Sequence, residues 1–333
     1  MRAAYIERYG GPEVLRLGEL PAPAPGPGDL LIEVRAASVN PVDFKIRGGL
    51  TKLILPYRFP LILGNDCSGV VKAVGAAVTR FRPGDAVYAR LDKNRIGAFA
   101  EYAVVAESSV AAKPASLNFE EAAAIPLAGL TAWQALVEFA QIKPGQKVLI
   151  HAGAGGVGSL AIQIAKHCGA FVATTVGTRN VALARELGAD LAIDYRTQRF
   201  EDFVRDYDMV FSTLAGDVLR RSFAVLRRGG VLVDIAGLPT AAFARRWGLN
   251  TLLVLALGWM TRKETALARR HGVRYEYLFM TASGAQLDRL SALIDAGAIR
   301  PVIDRVFPFG QVREAIAHVE AGHATGKVVV SMA

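Results

Sequence analysis

A chain of 333 residues, 52% hydrophobic and 21% charged, can bury one large domain or two domains sharing a cleft, and is too apolar to be disordered or fibrous. Its two cysteines, Cys67 and Cys168, lie far apart, which excludes a disulfide framework and fits a reducing compartment. The formal charge of +9 comes without interleaved aromatics or a nucleic-acid module, so no nucleic-acid partner is expected.

The first ten residues hold no apolar signal core, and the expected location is the cytoplasm. Residues 1–118 read mostly as strand, at 1–6, 29–38, 68–74, 86–89 and 99–105. Proline and glycine punctuate them at 21–28, at Gly48-Gly49 and at Pro83-Gly84-Asp85. This half predicts a compact β domain. Residues 120–140 predict helix with one proline, Pro126.

From Lys147 the pattern changes to alternating strand and helix. Lys147-Val-Leu-Ile-His-Ala-Gly-Ala-Gly-Gly-Val-Gly158 reads as a buried strand, a glycine-rich turn and a helix start. In such a turn Gly153 lets the chain reverse, Gly155 or Gly156 admits a pyrophosphate, and Gly158 lets helix and strand pack closely. The unpaired N–H groups and positive dipole end at the helix start suit phosphate oxygens, so a dinucleotide cofactor is expected. The second strand, 171–176, leads into Gly177-Thr178-Arg179-Asn180, with no acid until Glu186. A carboxylate there would repel a ribose 2′-phosphate, whereas hydroxyl and guanidinium attract one, so the cofactor reads as NADP(H).

Further strands are expected at 191–194, 209–212, 230–236 and 275–279, giving a parallel sheet covered by helices on both faces. Within residues 245–274 seven Arg and Lys side chains bracket the uncharged run 249–260. That run is too short to span a bilayer. It reads as pocket cover, as a subunit contact or as a weak membrane-surface contact. The tail predicts helix at 287–295, an extended segment at 301–307, helix at 312–321 and strand at 327–331, returning to the first domain.

Taken together, Asn40-Pro-Val-Asp-Phe-Lys45, Leu63-Gly-Asn-Asp-Cys-Ser-Gly69, Pro83-Gly-Asp85, Leu127-Ala-Gly-Leu-Thr-Ala-Trp133, the glycine loop and Gly322-His-Ala-Thr-Gly-Lys327 resemble the medium-chain dehydrogenase/reductase family. The likeness runs nearly end to end and is strongest to the zinc-free quinone oxidoreductase and alkenal/enone reductase branch. It implies an α/β architecture, with a GroES-like β domain (1–121 and 297–333) and a Rossmann-type doubly wound parallel sheet domain (122–296). Where the alcohol-dehydrogenase side of the family has zinc ligands, this chain has Asn40 and Asn65, and its two cysteines and five histidines lack ligand spacing. No metal is expected.

Without zinc, the easier hydride acceptors are electron-poor, namely quinones or the β-carbon of an α,β-unsaturated carbonyl. The resemblance implies NADPH as cofactor, a small electrophilic carbonyl or quinone as substrate, and a homodimer. It implies Lys45 as the group that stabilises charge on the acceptor oxygen, with a solvent-exposed lysine or a ribose contact as open alternatives. Asn40 would orient nicotinamide or substrate. The implied cofactor-binding set is completed by Thr131, Gly155, Gly156, Val157, Gly158, Thr178, Arg179, Tyr195, Ala236, Gly237, Phe279 and Lys327. Met280 would border the same pocket as Phe279. Alternatives from other classes are an NADPH-binding regulatory or structural protein with little turnover, and a membrane-surface quinone reductase.

Overall fold

The computed structural model describes residues 1–332 and divides the chain into two compact units. One comprises Met1–Leu130 and the segment from Thr281 onward; the other is Thr131–Met280.

In the first unit the long strand Asp29–Val39 is the organiser. It pairs antiparallel with Asp66–Val74, with Tyr102–Ala106 and with the tail strand Lys327–Ser331. Ala86–Arg90 and Val110–Ala112 extend the sheet on one side and Ile303–Pro308 on the other. Alternating apolar side chains such as Leu30, Ile32 and Val34 face a core shared with Ile6, Leu63, Phe99, Ile316 and Val330. Three short strands, Leu15–Glu19, Leu61–Ile62 and Val110–Ala112, escape the sequence reading because two to five residues carry little period-two signal.

The helical stretch expected at 120–140 is broken into Phe119–Ala123, Pro126–Trp133 and a wider π-turn, Gln134–Phe139. Pro126 supplies the break, since it has no N–H for the preceding turn and disfavours helix just before it.

The second unit holds six parallel strands in the order Leu191–Asp194, Phe171–Val176, Lys147–Ile150, Tyr207–Ser212, Leu226–Asp234 and Arg274–Tyr277. Numbered along the chain this order is 3-2-1-4-5-6, the doubly wound arrangement in which the first strand lies beside the point where chain direction across the sheet reverses. Its core gathers Leu149, Ala173, Val210, Phe223 and Leu232.

The division falls at 130/131 and 280/281 rather than at the expected 121/122 and 296/297. Helix Gly284–Asp295 accounts for the later crossing. Gly284 lies so close to the Val110–Ala112 strand that an added Cβ would meet the Val110 carbonyl oxygen at 2.3 Å. Tyr88 Oη also donates to the Leu287 carbonyl at 2.7 Å. That helix therefore belongs to the β unit.

Candidate functional site

Strand register assembles a buried polar cluster in the β unit. Ala37 pairs with Cys67, so Ser38 and Asp66 sit side by side, and Asp66 pairs in turn with Arg90. Val328 pairs with Val39, which brings Lys327, one residue before it, against Asn40. Ser38 Oγ donates to Asp66 Oδ1 at 2.7 Å, and the Asn40 amide donates to the same oxygen at 2.8 Å. The Leu127 N–H donates to Asp66 Oδ2 at 3.0 Å. Lys327 Nζ donates to Asn40 Oδ1 at 2.5 Å and to the Val39 carbonyl at 3.2 Å.

Asn40 also starts helix Pro41–Arg47. Pro41 sits at its first position, and the Asp43 carboxylate accepts the Asn40 N–H at 2.7 Å, one half of a capping box. The other Asp43 oxygen accepts from Asn65 Nδ2 at 2.7 Å, and Arg90 donates to Asn65 Oδ1 at 3.2 Å. Asn40, Asp43, Asn65, Asp66, Arg90 and Lys327 are all buried. Burial pushes the Asp43 carboxyl up to about 7, against the hydrogen bonds from Asn40 and Asn65 that favour its charge, while Asp66 raises it further and Lys327 lowers it. Burial also pulls the Lys327 ammonium below the usual lysine range, opposed by Asp66 and Asp43.

Three of the implied site residues take defined places here. Lys327, implied as a cofactor contact, turns its ammonium inward to Val39 and Asn40. The reason is electrostatic, since two buried carboxylates need a nearby cation. Asn40 uses both amide N–H groups within the chain, on Asp66 and on the Ser38 carbonyl at 3.2 Å, so it is a positioning residue. Lys45, on the same helix, stays outside the cluster. It is half-buried, and among the described residues its ammonium has no hydrogen-bond or ion-pair partner.

In the parallel-sheet unit the strand Lys147–Ile150, the turn and the helix Gly156–His167 form as expected. The glycines divide the labour differently. The positive φ that the turn requires falls on Ala152, at 51°, and not on Gly153. Gly153 is needed for packing, since a Cβ there would lie 2.0 Å from Thr174 Oγ1. At Gly158 a Cβ would meet the Ala152 carbonyl oxygen at 2.3 Å and Gly153 Cα at 2.8 Å. Gly155 is the N-cap and brings no side chain to the helix start. The first-turn N–H groups near Gly156, Val157 and Gly158 are thus left bare of capping side chains. A helix start bare in this way favours anions.

Beside it, Thr178 and Arg179 form a short 3-10 turn after the strand Phe171–Val176, both exposed. Tyr195 follows the neighbouring strand, its N–H donating to the Val176 carbonyl at 3.1 Å. Tyr195 Oη and Arg196 Nε both border Gly177, and the Arg196 guanidinium lies 6.0 Å from the Tyr195 ring centroid. Thr178, Arg179, Tyr195 and Arg196 so make one exposed face at adjacent strand ends. Asp194 is the acid nearest by, its carboxyl held below the usual range by the Thr178 side chain and the Arg196 N–H. Arg196 has no assigned role in the sequence reading, although it directly follows Tyr195.

Ala236 and Gly237 form a turn closed by the buried Asp234, whose Oδ1 accepts both N–H groups at 2.9 and 3.0 Å. Phe279 stacks edge-on to Trp247 at 5.1 Å, continuing an aromatic row through Phe243 to Tyr277. Met280 and Thr131 are buried. His151 is buried between Thr175 and Ser222, and burial, with the Arg221 charge, lowers it to about 3, so it stays neutral. Among the described residues no three His, Cys, Asp or Glu side chains are grouped to hold a metal ion.

Residues 26–115 match the alcohol dehydrogenase GroES-like domain, and residues 187–330 match the zinc-binding dehydrogenase family. The chain is 36% identical to the zebrafish (Danio rerio) mitochondrial NAD(P)H oxidoreductase RTN4IP1, over all of this chain and 91% of that protein. It is 36% identical to the chloroplastic NADPH-dependent alkenal/one oxidoreductase of Arabidopsis thaliana, over 99% of this chain and 79% of that one. The solved quinone oxidoreductase of Coxiella burnetii superposes with a TM-score of 0.87 at 34% identity, covering 100% of this chain and 99% of that chain. With a GroES-like β unit and a Rossmann-type parallel sheet, the chain belongs to the medium-chain dehydrogenase/reductase family, as an oxidoreductase of its quinone and alkenal/one reductase branch.

Proposed function

We propose that this chain is an NADPH-dependent, zinc-independent reductase of activated carbon–carbon double bonds, with 2-alkenals and enones ahead of quinones as acceptors. One observation carries the reading: a helix start with no capping side chain at 155–158 stands in the same unit as an exposed hydroxyl–guanidinium face with no acid on the 178–180 turn. The residues fit the cofactor. The N–H groups near Gly156, Val157 and Gly158 would hold its pyrophosphate, and Thr178, Arg179, Tyr195 and Arg196 a ribose 2′-phosphate. When bound, NADPH supplies a hydride for an electron-poor carbon.

The chain's own part is to place the acceptor and stabilise charge on its oxygen. Lys45, half-buried and unpartnered among the described residues, is the cation available for that task. Asp66 and Lys327 each bond the Asn40 side chain and so hold the start of its helix. Zinc independence is supported by the donor set, because Asn40 and Asn65 present amides already bonded to Lys327, Asp66, Asp43 and Arg90, not thiolate or imidazole. The expected homodimer belongs to the same proposal. Arg274–Tyr277 is paired on one side only and leaves a sheet edge open to a second copy.

The test is NADPH oxidation against a short enone, a 2-alkenal, a benzoquinone and a naphthoquinone, with NADH in parallel. Turnover of the enone and alkenal with NADPH, and slower turnover with NADH, is the expected outcome. Turnover of quinones alone would move the assignment to quinone reduction. NADPH binding without turnover of any acceptor would favour a binding protein.

A further inference from the structure

Helix Thr251–Met260 carries no charged side chain, yet only Val254 in it is buried. Leu252, Leu255 and Trp259 are 79%, 63% and 67% exposed, and Met260 is 49% exposed. The spacing i, i+3, i+7 and i+8 sets these four on one face. On the opposite side Gly258 approaches Ala241 so closely that a Cβ on it would lie 3.3 Å from the Ala241 Cβ. The protein thus covers one side of the helix and leaves its most apolar side to solvent, which marks an interaction surface.

The rim of this face is cationic. Arg245 and Arg246 precede the helix, and Arg262, Lys263, Arg269 and Arg270 follow it, all exposed. The Arg262 guanidinium sits 4.2 Å from the Trp259 ring centroid and donates to the Trp259 carbonyl at 2.7 Å, so charge and apolar surface adjoin. The acid within residues 241–274 is Glu264, buried and bound to Arg220 at 2.9 Å. Glu276 is joined to Arg246 at 2.9 Å.

We propose that this face docks on an anionic lipid bilayer, with Leu252, Leu255 and Trp259 at headgroup depth and the arginine rim on the lipid phosphates. Ten helical residues reach about 15 Å, half of a hydrocarbon core, so the helix lies in the interface and does not cross it. No helix of the described residues is long and apolar enough to cross a membrane. Basic side chains flanking exposed Leu and Trp fit a surface-lying helix, and tryptophan favours the headgroup level. A second copy is a poor occupant. A two-fold contact through this face would add the Arg262–Lys263 rim of one copy to that of the other, and the acid within residues 241–274, Glu264, is already bound to Arg220.

The test is flotation of the full chain with phosphatidylcholine vesicles and with an equimolar phosphatidylcholine–phosphatidylserine mixture, at low and high salt. The expected result is flotation with the mixed vesicles only, released by high salt. The double change Arg262→Glu and Lys263→Glu should lower the bound fraction roughly tenfold or more. Leu255→Ser should weaken it while reductase turnover of a soluble acceptor is unchanged. Trp259 emission should shift to the blue on vesicle binding. Recovery in the soluble fraction with both vesicle types at low salt would overturn the proposal. So would a Leu255→Ser variant that loses a dimer, or an acidic protein partner, without any change toward vesicles. The docking reading stands or falls independently of the reductase reading, since flotation is scored without turnover.

Discussion

The two units build their polar centres by opposite means. In the parallel-sheet unit side chains are taken away: Gly153 yields its space to Thr174, Gly158 packs on the Ala152–Gly153 backbone, and Gly155 caps the helix without a side chain, so the helix start is bare of capping groups. In the β unit side chains are packed in, and Asn40, Asp43, Asn65, Asp66, Arg90 and Lys327 are linked by hydrogen bonds out of water, with the Arg90 Nε left unpaired. The first centre is damaged by adding atoms, the second by removing them.

That contrast can be broken or sharpened by substitution. The largest effect is expected from Lys327→Met, which removes a buried cation that offsets Asp43 and Asp66 and should cost about 3–5 kcal/mol in denaturant unfolding. A loss within experimental error would show that the cluster is not held by charge.

Asp43 gives the same centre a pH signature. Its folded value of about 7 lies above the ordinary 3.8. Between those values the folded chain keeps a proton that the unfolded chain releases. Its contribution is therefore fully present below pH 3.8 and is lost as pH rises toward 7. Asp43→Asn should flatten the melting temperature across that window by comparison with the parent; an unchanged slope would contradict the assignment.

In the other unit, Gly158→Ala meets backbone at 2.3 Å and should cost about 1–3 kcal/mol while weakening NADPH binding. Gly155→Ala meets the Ala152 carbonyl oxygen only at 3.3 Å and should be milder in stability, so equal losses would deny the difference in role. Smallest is Arg179→Ala, expected to weaken NADPH about tenfold and to leave NADH nearly unchanged, as read by fluorescence titration. If Arg196→Ala gives the larger loss, the 2′-phosphate role passes to Arg196.

What the sequence makes legible follows the same division. The strand, turn and helix around 147–167 are contiguous, so their order and their glycines can be read directly. Which residue takes the positive φ cannot, because a turn is solved by its neighbours' packing; here Thr174 claims the space at Gly153 and Ala152 bends instead. The β-unit cluster is the harder case. Lys45 attracts notice because it stands five residues from Asn40, whereas Lys327 reaches Asn40 through strand register from the far end of the chain. Asp66 stands inside the motif at 63–69, but its pairing with Arg90 across strands is set by register and not by that motif. Helix Gly284–Asp295 shows the same limit, since its pattern predicts a helix but not that it packs on Val110–Ala112.

The most direct measurement is to supply NADPH carrying deuterium at the transferable position with a short enone and to locate the label by mass spectrometry and NMR. The account predicts a saturated ketone with one deuterium at the carbon β to the carbonyl, formed at the rate of NADPH loss. An unlabelled product, or bound NADPH that is never consumed in the presence of any acceptor, would contradict it.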